Sequence, residues 1–424
     1  MKRFSLLFHK IINFYKLIKI KKIEIKFSNP KKSKILVVDH VREPEVQEAL
    51  LNDIEFETLD TRLGENIVID NYTRSPRIFL SFKIVFLILY FFFIKKTNSL
   101  FNSYCYAYIY ITKPKVLLDL SHYGYILEGI KYFPSVRFIF ILEGLFKKND
   151  YLFPFKEDAN IFHYYLIDYL KKNNNLKLDN LYLGVQGQKD IDILEDLGLH
   201  KSKNNLNIIF AGSYKADFIK KKTNNIYEKK YDITFISQTK SEYILDTNKN
   251  TFINLLIDET KRILELLSSY VINKKISCLI QLRTSKEYNK IEREFYKSFF
   301  KNYDKLYFQD RNDPFSAYYS ILESDLAISN HSQLSHEAMI LNRKSLTVPL
   351  KMYDYYVMYP SKFTSYSSMW DWNIANYDRE EFGKKIDKLM TLDIKKYLEE
   401  TSEKSDYLMK KNSKLKETIL QLIN

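Results

Sequence analysis

Cysteine is nearly absent from this chain: 424 residues carry two, Cys105 and Cys278. They lie far apart with no metal-type spacing, and both sit in apolar runs (SYCYAY and ISCLIQ). Neither a disulfide framework nor a zinc site is expected; two buried free thiols in a reducing cytoplasm are. Glycine and proline are scarce too, at nine each, which argues against a fibrous or low-complexity chain. The strongest internal apolar run, 84–94, holds eleven residues after Lys83 and falls short of the roughly 20 needed to cross a bilayer. His-Glu-x-x-His, Gly-x-Ser-x-Gly, Gly-x-Gly-x-x-Gly and P-loop patterns are all missing. Their absence argues against a zinc protease, an α/β-hydrolase, a dinucleotide oxidoreductase and a P-loop kinase.

Positive charge is plentiful but unevenly placed. The net charge is +14, and residues 1–34 hold eleven Lys or Arg against the single acid Glu24. The body of the chain is therefore near neutral, which with the lack of any base-reading motif excludes nucleic acid as a partner. Basic residues recur within an apolar pattern in residues 1–33, and no small-residue cleavage site follows. A basic amphipathic segment lying on anionic lipid is expected there. Residues 78–94 (IFLSFKIVFLILYFFFI) predict a helix of the first domain with one lipid-facing side.

Short apolar runs recur along the chain. Residues 34–39 (KILVVD), 115–119 (KVLLD) and 136–142 (VRFIFIL) read as buried parallel strands separated by helix-compatible stretches. Residues 155–230 read as less regular, with loop-like stretches at 173–175, 186–188 and 220–222. A second series begins at 231, with strands predicted at 232–236, 276–282, 305–309, 326–329 and 345–349. Strand–helix alternation of this kind predicts two doubly wound parallel sheets. The expected division is a basic segment at 1–33, a first Rossmann-like domain at 34–205, a second at 206–378 and a helical tail at 379–424.

In such sheets ligands gather beyond the C-terminal ends of the strands. That rule draws attention to Asp39 and His40 and to Asp119 and His122 in the first half. In the second half it points to Ser237, Gln238 and Arg283. Residues 324–349 (SDLAISNHSQLSHEAMILNRKSLTVP) place Ser329, Asn330, His331, Ser332 and Gln333 where a strand passes into a helix. Backbone N–H groups at such a helix start favour a phosphate. Glu337, one turn further on, is placed to accept from ribose or sugar hydroxyls. The plainer alternative is an ordinary helix cap by Ser332 with a solvated Glu337.

The 324–338 segment resembles the donor-binding region of GT-B glycosyltransferases, whose signature ends in a Glu-Ala pair, here Glu337–Ala338. With KILVVDHVRE, TLDTRLGENIVI, KPKVLLDLSHYG, KYFPSVRFIFILEG and YDITFISQ, the chain from about 35 to 350 is similar to bacterial O-antigen (surface carbohydrate) biosynthesis proteins. The resemblance implies an α/β, GT-B-like fold of two Rossmann-like domains facing a central cleft. It implies transfer of a sugar from a nucleotide-activated donor to a lipid-linked glycan. No metal and no cofactor beyond that nucleotide-sugar co-substrate are expected. The general base would be Asp119 or His122, or else Asp39 or His40. Arg283, Ser237 and Gln238 would face the donor phosphate, beside Ser329–Gln333 and Glu337. The site of action would be the inner face of the cytoplasmic membrane. Two alternatives share the fold: CDP-polyol phosphate transfer and sugar-nucleotide epimerisation. Leu120, Glu143 and His331 stand where the family typically has Asn, an amide and Ser, which keeps a catalytically inactive scaffold open.

Overall fold

A computed structural model describes residues 23–61, 74–120, 124–142, 161–173, 178–196, 198–199, 206–224, 227–239, 241–245, 251–284, 289–330, 332–350 and 372–424. His122, Glu143, His331 and the basic stretch 1–22 lie outside them. The strands are β1 Glu24–Lys26, β2 Ile35–Val38, β3 Glu57–Leu59, β4 Arg77–Phe79, β5 Val116–Asp119, β6 Arg137–Ile141, β7 Leu181–Val185 and β8 Asn207–Phe210. After them come β9 Tyr231–Ile236, β10 Cys278–Gln281, β11 Leu306–Gln309, β12 Ser324–Ser329 and β13 Lys344–Thr347.

Two large parallel sheets result, in the orders β3-β2-β5-β6-β7-β8 and β11-β10-β9-β12-β13, beside a two-stranded sheet of β1 and β4. Alternation along the strands explains why both faces of the first are covered. Ile35, Val37, Val116, Leu118, Ile139 and Ile141 fill one side. Leu36, Val38, Leu117, Phe138 and Phe140 fill the other. Ile233, Phe235, Ile280, Leu326 and Ile328 belong to the core of the second sheet. Cys105 and Cys278 are buried and free, as their apolar surroundings predict.

Three expectations are corrected. The first sheet does not end at 205, because β8 pairs with β7 and closes its edge. The basic segment does not reach 33 as one amphipathic unit: β1 pairs with β4, since Ile23 and Ile25 alternate with Glu24 and Lys26 in strand period. The middle of the chain is also regular. It holds helices Ile161–Lys172, Gln188–Asp196 and Tyr214–Thr223 besides β7 and β8. Lys220, Lys221 and Lys222, read as loop, form the last turn of Tyr214–Thr223, where positive side chains complement the helix dipole.

The tail runs over both halves. Phe382, Ile386 and Leu389 of helix Arg379–Thr391 join the second core. Leu415, Ile419 and Ile423 of helix Leu415–Ile423 pack on the first sheet.

Candidate functional site

Each sheet has one place where the winding reverses. In the first sheet it lies between β2 and β5, in the second between β9 and β12. Asp39 follows β2, and Asp119 ends β5 in register with Val38. Ser237 follows β9, while Ser329 ends β12 and Asn330 follows it. The sequence candidates therefore fall at both switch points, where a doubly wound sheet opens a crevice.

Asp39 and Asp119 are buried, and so is His40. Asp39 turns the chain out of β2 at φ +89, in the left-handed region that costs a side-chain-bearing residue energy. One of its carboxylate oxygens accepts from the Val41 N–H at 3.1 Å, an Asx-type turn that fits this residue to the strained position. The His40 Nδ1 lies 4.0 Å from the same oxygen.

At the second switch point Ser237 is occupied by structure. Its hydroxyl donates to Glu292 Oε1 at 2.8 Å and accepts from the Tyr296 hydroxyl at 2.5 Å. Gln238 is half-buried. Glu292 went unnoticed in the sequence, yet it organises this corner. Fully buried, its carboxylate also accepts from the backbone N–H groups of Arg283 (2.8 Å) and Thr284 (3.0 Å) and from the Thr284 hydroxyl. Burial raises its pKa, while those donors pull it back. The effect is to fix the backbone from which Arg283 projects.

Arg283 is solvent-accessible but crowded. Loss of solvation, then the charge of Arg311, holds its guanidinium below the ordinary value; Arg42 adds to this, and Tyr243 and Glu292 oppose it. The grouping follows from topology. Gln281 and Gln309 are register partners, so Arg283 and Arg311 leave neighbouring strand ends together. Arg42 comes from the end of β2 in the other half. Positive side chains from neighbouring strand ends make this corner electropositive, which favours an anion.

The 329–337 segment departs from its expected use. Ser329 Oγ accepts from the Ser332 N–H at 3.2 Å, and Ser332 Oγ accepts from the Leu334 N–H at 3.3 Å. The N–H groups of Ser335, His336 and Glu337 bond to carbonyls of Ser332 and Gln333. Short helix Leu334–Ile340 is thus largely capped by its own segment. Glu337 is buried rather than presented to a ribose. It accepts from Ser213 Oγ (2.6 Å), Gln333 Nε2 (3.0 Å) and the Tyr318 hydroxyl (2.9 Å). Burial raises its pKa, with Lys215 the main counterweight. Asn330 differs from all of these: it is 1% exposed, and neither its amide nitrogen nor its oxygen finds a hydrogen-bond partner. A buried, unsatisfied amide beside a switch point is unusual enough to need a reason.

Polar contacts join the halves around this region. Ser213 follows β8, caps helix Tyr214–Thr223 by accepting from the Ala216 N–H, and donates to Glu337. On the first-sheet side of this junction Glu45, in helix Glu43–Ala49, accepts from the Tyr214 hydroxyl at 3.0 Å and from Arg42 at 3.2 Å, with Lys215 at 3.7 Å. The buried imidazole of His336 is held down to about 3, by burial first and then by the charge of Lys189, which follows β7. The C-terminal strand ends of the two sheets thus face each other. Among the described residues no group of His, Cys, Asp and Glu is placed to hold a metal ion.

Comparison with known proteins agrees with this fold. A family model described as "putative O-antigen biosynthesis protein" matches residues 192–423. No curated protein matches the sequence. Among solved structures, a variant of the wall teichoic acid polymerase TagF is similar at TM-score 0.53 and 13% identity, over 93% of this chain and 89% of that one. A UDP-N-acetylglucosamine 2-epimerase is similar at TM-score 0.51 and 13% identity, over 92% and 95%. The Staphylococcus aureus protein MnaA, solved with UDP, gives TM-score 0.50 and 11% identity, over 92% and 95%. The fold is GT-B-like, as the resemblance of the sequence implies.

Proposed function

Because the chain belongs to the O-antigen biosynthesis family matched over more than half its length, we propose that it is a glycosyltransferase of surface polysaccharide assembly. In this reading it binds a nucleotide-activated sugar against the second sheet and transfers the sugar to a lipid-linked glycan held by the first. The observation that carries the reading is Asn330, a buried amide without a partner just past the end of β12, beside the switch point of the second sheet. Asn330 and Gln238 would bond the nucleotide. Arg283, aided by Arg311 and Arg42, would neutralise the leaving diphosphate without a metal. Asp119, or Asp39, would take the proton from the acceptor hydroxyl as it attacks the anomeric carbon and the bond to the diphosphate breaks. Glu337 and Ser237 serve here as supports, since protein donors and acceptors already occupy them.

The test is thermal stabilisation of the whole protein by UDP, GDP, CDP, CMP and ADP. A nucleotide at a hundredfold excess over its dissociation constant should add roughly 2.7 kcal/mol of stability. Asn330→Ala should abolish that shift while leaving the unliganded protein as stable as wild type or more so, because a binding amide is costly when empty. A shift with CDP alone turns the reading toward polyol-phosphate transfer. A flat response to every nucleotide sinks the transferase and leaves the scaffold. With the nucleotide known, Asp119→Asn should lower turnover of the matching donor by about a hundredfold or more. The nucleotide shift should survive that change; unaltered turnover would pass the role to Asp39.

A further inference from the structure

Helix Phe82–Leu89 and the wide turn Tyr90–Ile94 that extends it carry an apolar face that none of the other described residues covers. Phe82 is 98% exposed, Phe86 69% and Ile94 66%, with Leu89 and Tyr90 also open. Those positions recur at helical spacing, so they form one stripe. Ile84, Leu87 and Phe91 point the other way, into the core of the first sheet. The wide turn matters to the stripe. Its i→i+5 bond, Lys95 N–H to the Tyr90 carbonyl, makes room for an extra residue, so that Ile94 continues the outer row. Phe27 extends the patch at its start, being 82% exposed at the end of β1. It is held there by Leu80 N–H to the Lys26 carbonyl (2.8 Å) and Ser81 Oγ to Asn29 Oδ1 (2.6 Å). An apolar patch this concentrated marks a contact surface rather than ordinary exposure.

Charge identifies what it contacts. Exposed Lys83, Lys95 and Lys96 flank the stripe, and Lys95 Nζ sits 6.0 Å from the centre of the Tyr90 ring, a pairing suited to a lipid–water boundary. From 71 to 118 the chain holds seven Lys or Arg and no Asp or Glu. Residues 1–22 add seven more basic residues, again with no acid, and enter the described chain at Ile23, where β1 runs beside β4 just ahead of the helix. No helix among the described residues is long and apolar enough to cross a membrane. We infer that the Phe27–Phe82–Phe86–Ile94 face lies in one leaflet of an anionic bilayer and turns the acceptor half toward lipid-linked substrate. This deepens the proposed function at its lipid-linked acceptor, but it rests on the surface and not on the nucleotide site.

Vesicle co-sedimentation of the full chain tests it, using phosphatidylcholine alone or mixed with phosphatidylglycerol. Wild type should sediment with the mixed vesicles and far less with neutral ones. Phe82→Ser/Phe86→Ser changes only open positions and should keep the wild-type melting temperature and nucleotide shift. Its vesicle affinity should fall by at least about tenfold, since burial of one Phe is worth more than one tenfold step. In Phe86→Trp, fluorescence should shift blue and be quenched by brominated lipid only when mixed vesicles are present. Undiminished sedimentation of the double variant overturns the inference. So does a Phe86→Trp spectrum already blue-shifted without lipid, which would mean that the chain covers the face itself. A wild-type dimer made monomeric by the double change, with lipid binding intact, would assign the face to a second copy. Loss of the nucleotide shift in wild type would count against the proposed function alone.

Discussion

Glu337 shows how one side chain can be visible in a sequence while its role is not. Its position one turn into a helix after a polar loop was legible, and so was its pairing with Ala338. Two of its donors come from Ser213 and Tyr318, which no local window connects to it. Removing the carboxylate strands three buried donors, so Glu337→Ala should cost about 3 kcal/mol in denaturant unfolding without any nucleotide present. Wild-type stability in that variant would show that the network is not formed. His336, its neighbour, makes a separate prediction. Burial favours the neutral ring, so its folded value of about 3 lies below the ordinary 6.5. As pH falls, the unfolded chain takes up the proton first. The contribution of His336 is complete above 6.5 and is lost progressively toward 3. Between pH 6.5 and 5 wild type should lose about 2 kcal/mol more than His336→Gln. Equal losses would mean that the ring is solvated. Arg283 was legible as a basic residue at a strand end, whereas Glu292, which fixes its backbone, was not. Nothing in a charged helix face announces that one acid turns inward.

At the scale of elements, the strands that are continuous apolar runs were legible because burial on both faces leaves no other pattern. β2, β5, β6, β10 and β11 fall within the runs that predict them, and β9, β12 and β13 overlap theirs but begin one or two residues earlier. β3 and β7 were missed for different reasons. Glu57–Leu59 is three residues with no apolar run, and Leu181–Val185 contains Gly184, a residue that weakens strand signals. Gly184 is there because a Cβ would press on Ile141 of the neighbouring strand. The exit from β2 has a cost that can be measured. Asp39 at φ +89 occupies backbone space that glycine enters freely and alanine does not. Asp39→Gly and Asp39→Ala lose the same side-chain bond to Val41, so their difference isolates the backbone. Asp39→Gly should be the more stable by about 1 kcal/mol. If the two variants unfold alike, the turn relaxes and no strain is held beside the proposed base.

Across the whole molecule, the tail does what neither sheet can do alone. Lys410 N–H donates to the Gln186 carbonyl at 2.7 Å, Lys414 N–H to the Phe210 carbonyl at 3.0 Å, and the Tyr407 hydroxyl to Asp192 at 2.8 Å. Leu408 and Met409 belong to the second core, and Leu415 a few residues later belongs to the cluster of the first sheet. The crossing passes over Gly187 and Gly212, just past the ends of β7 and β8. A Cβ on Gly187 would meet the Tyr407 and Leu408 backbone, and one on Gly212 the Lys410 carbonyl. Backbone cannot step aside as a side chain can, so the strap itself would have to lift. Gly187→Ala is the cleaner probe, because Gly212 also has φ +50 and would confuse contact with conformation. Overpacking of this kind costs about 1–3 kcal/mol, and here the loss falls on the connection between the halves. Calorimetry of wild type should show one transition, since the strap and the Ser213–Glu337 contact make each half stabilise the other. Gly187→Ala should broaden or divide that transition, and nucleotide should raise only the part that contains the second sheet. A variant that melts as a single transition at the wild-type temperature would show that the two sheets are coupled through the cleft contacts alone, with the tail as a passenger.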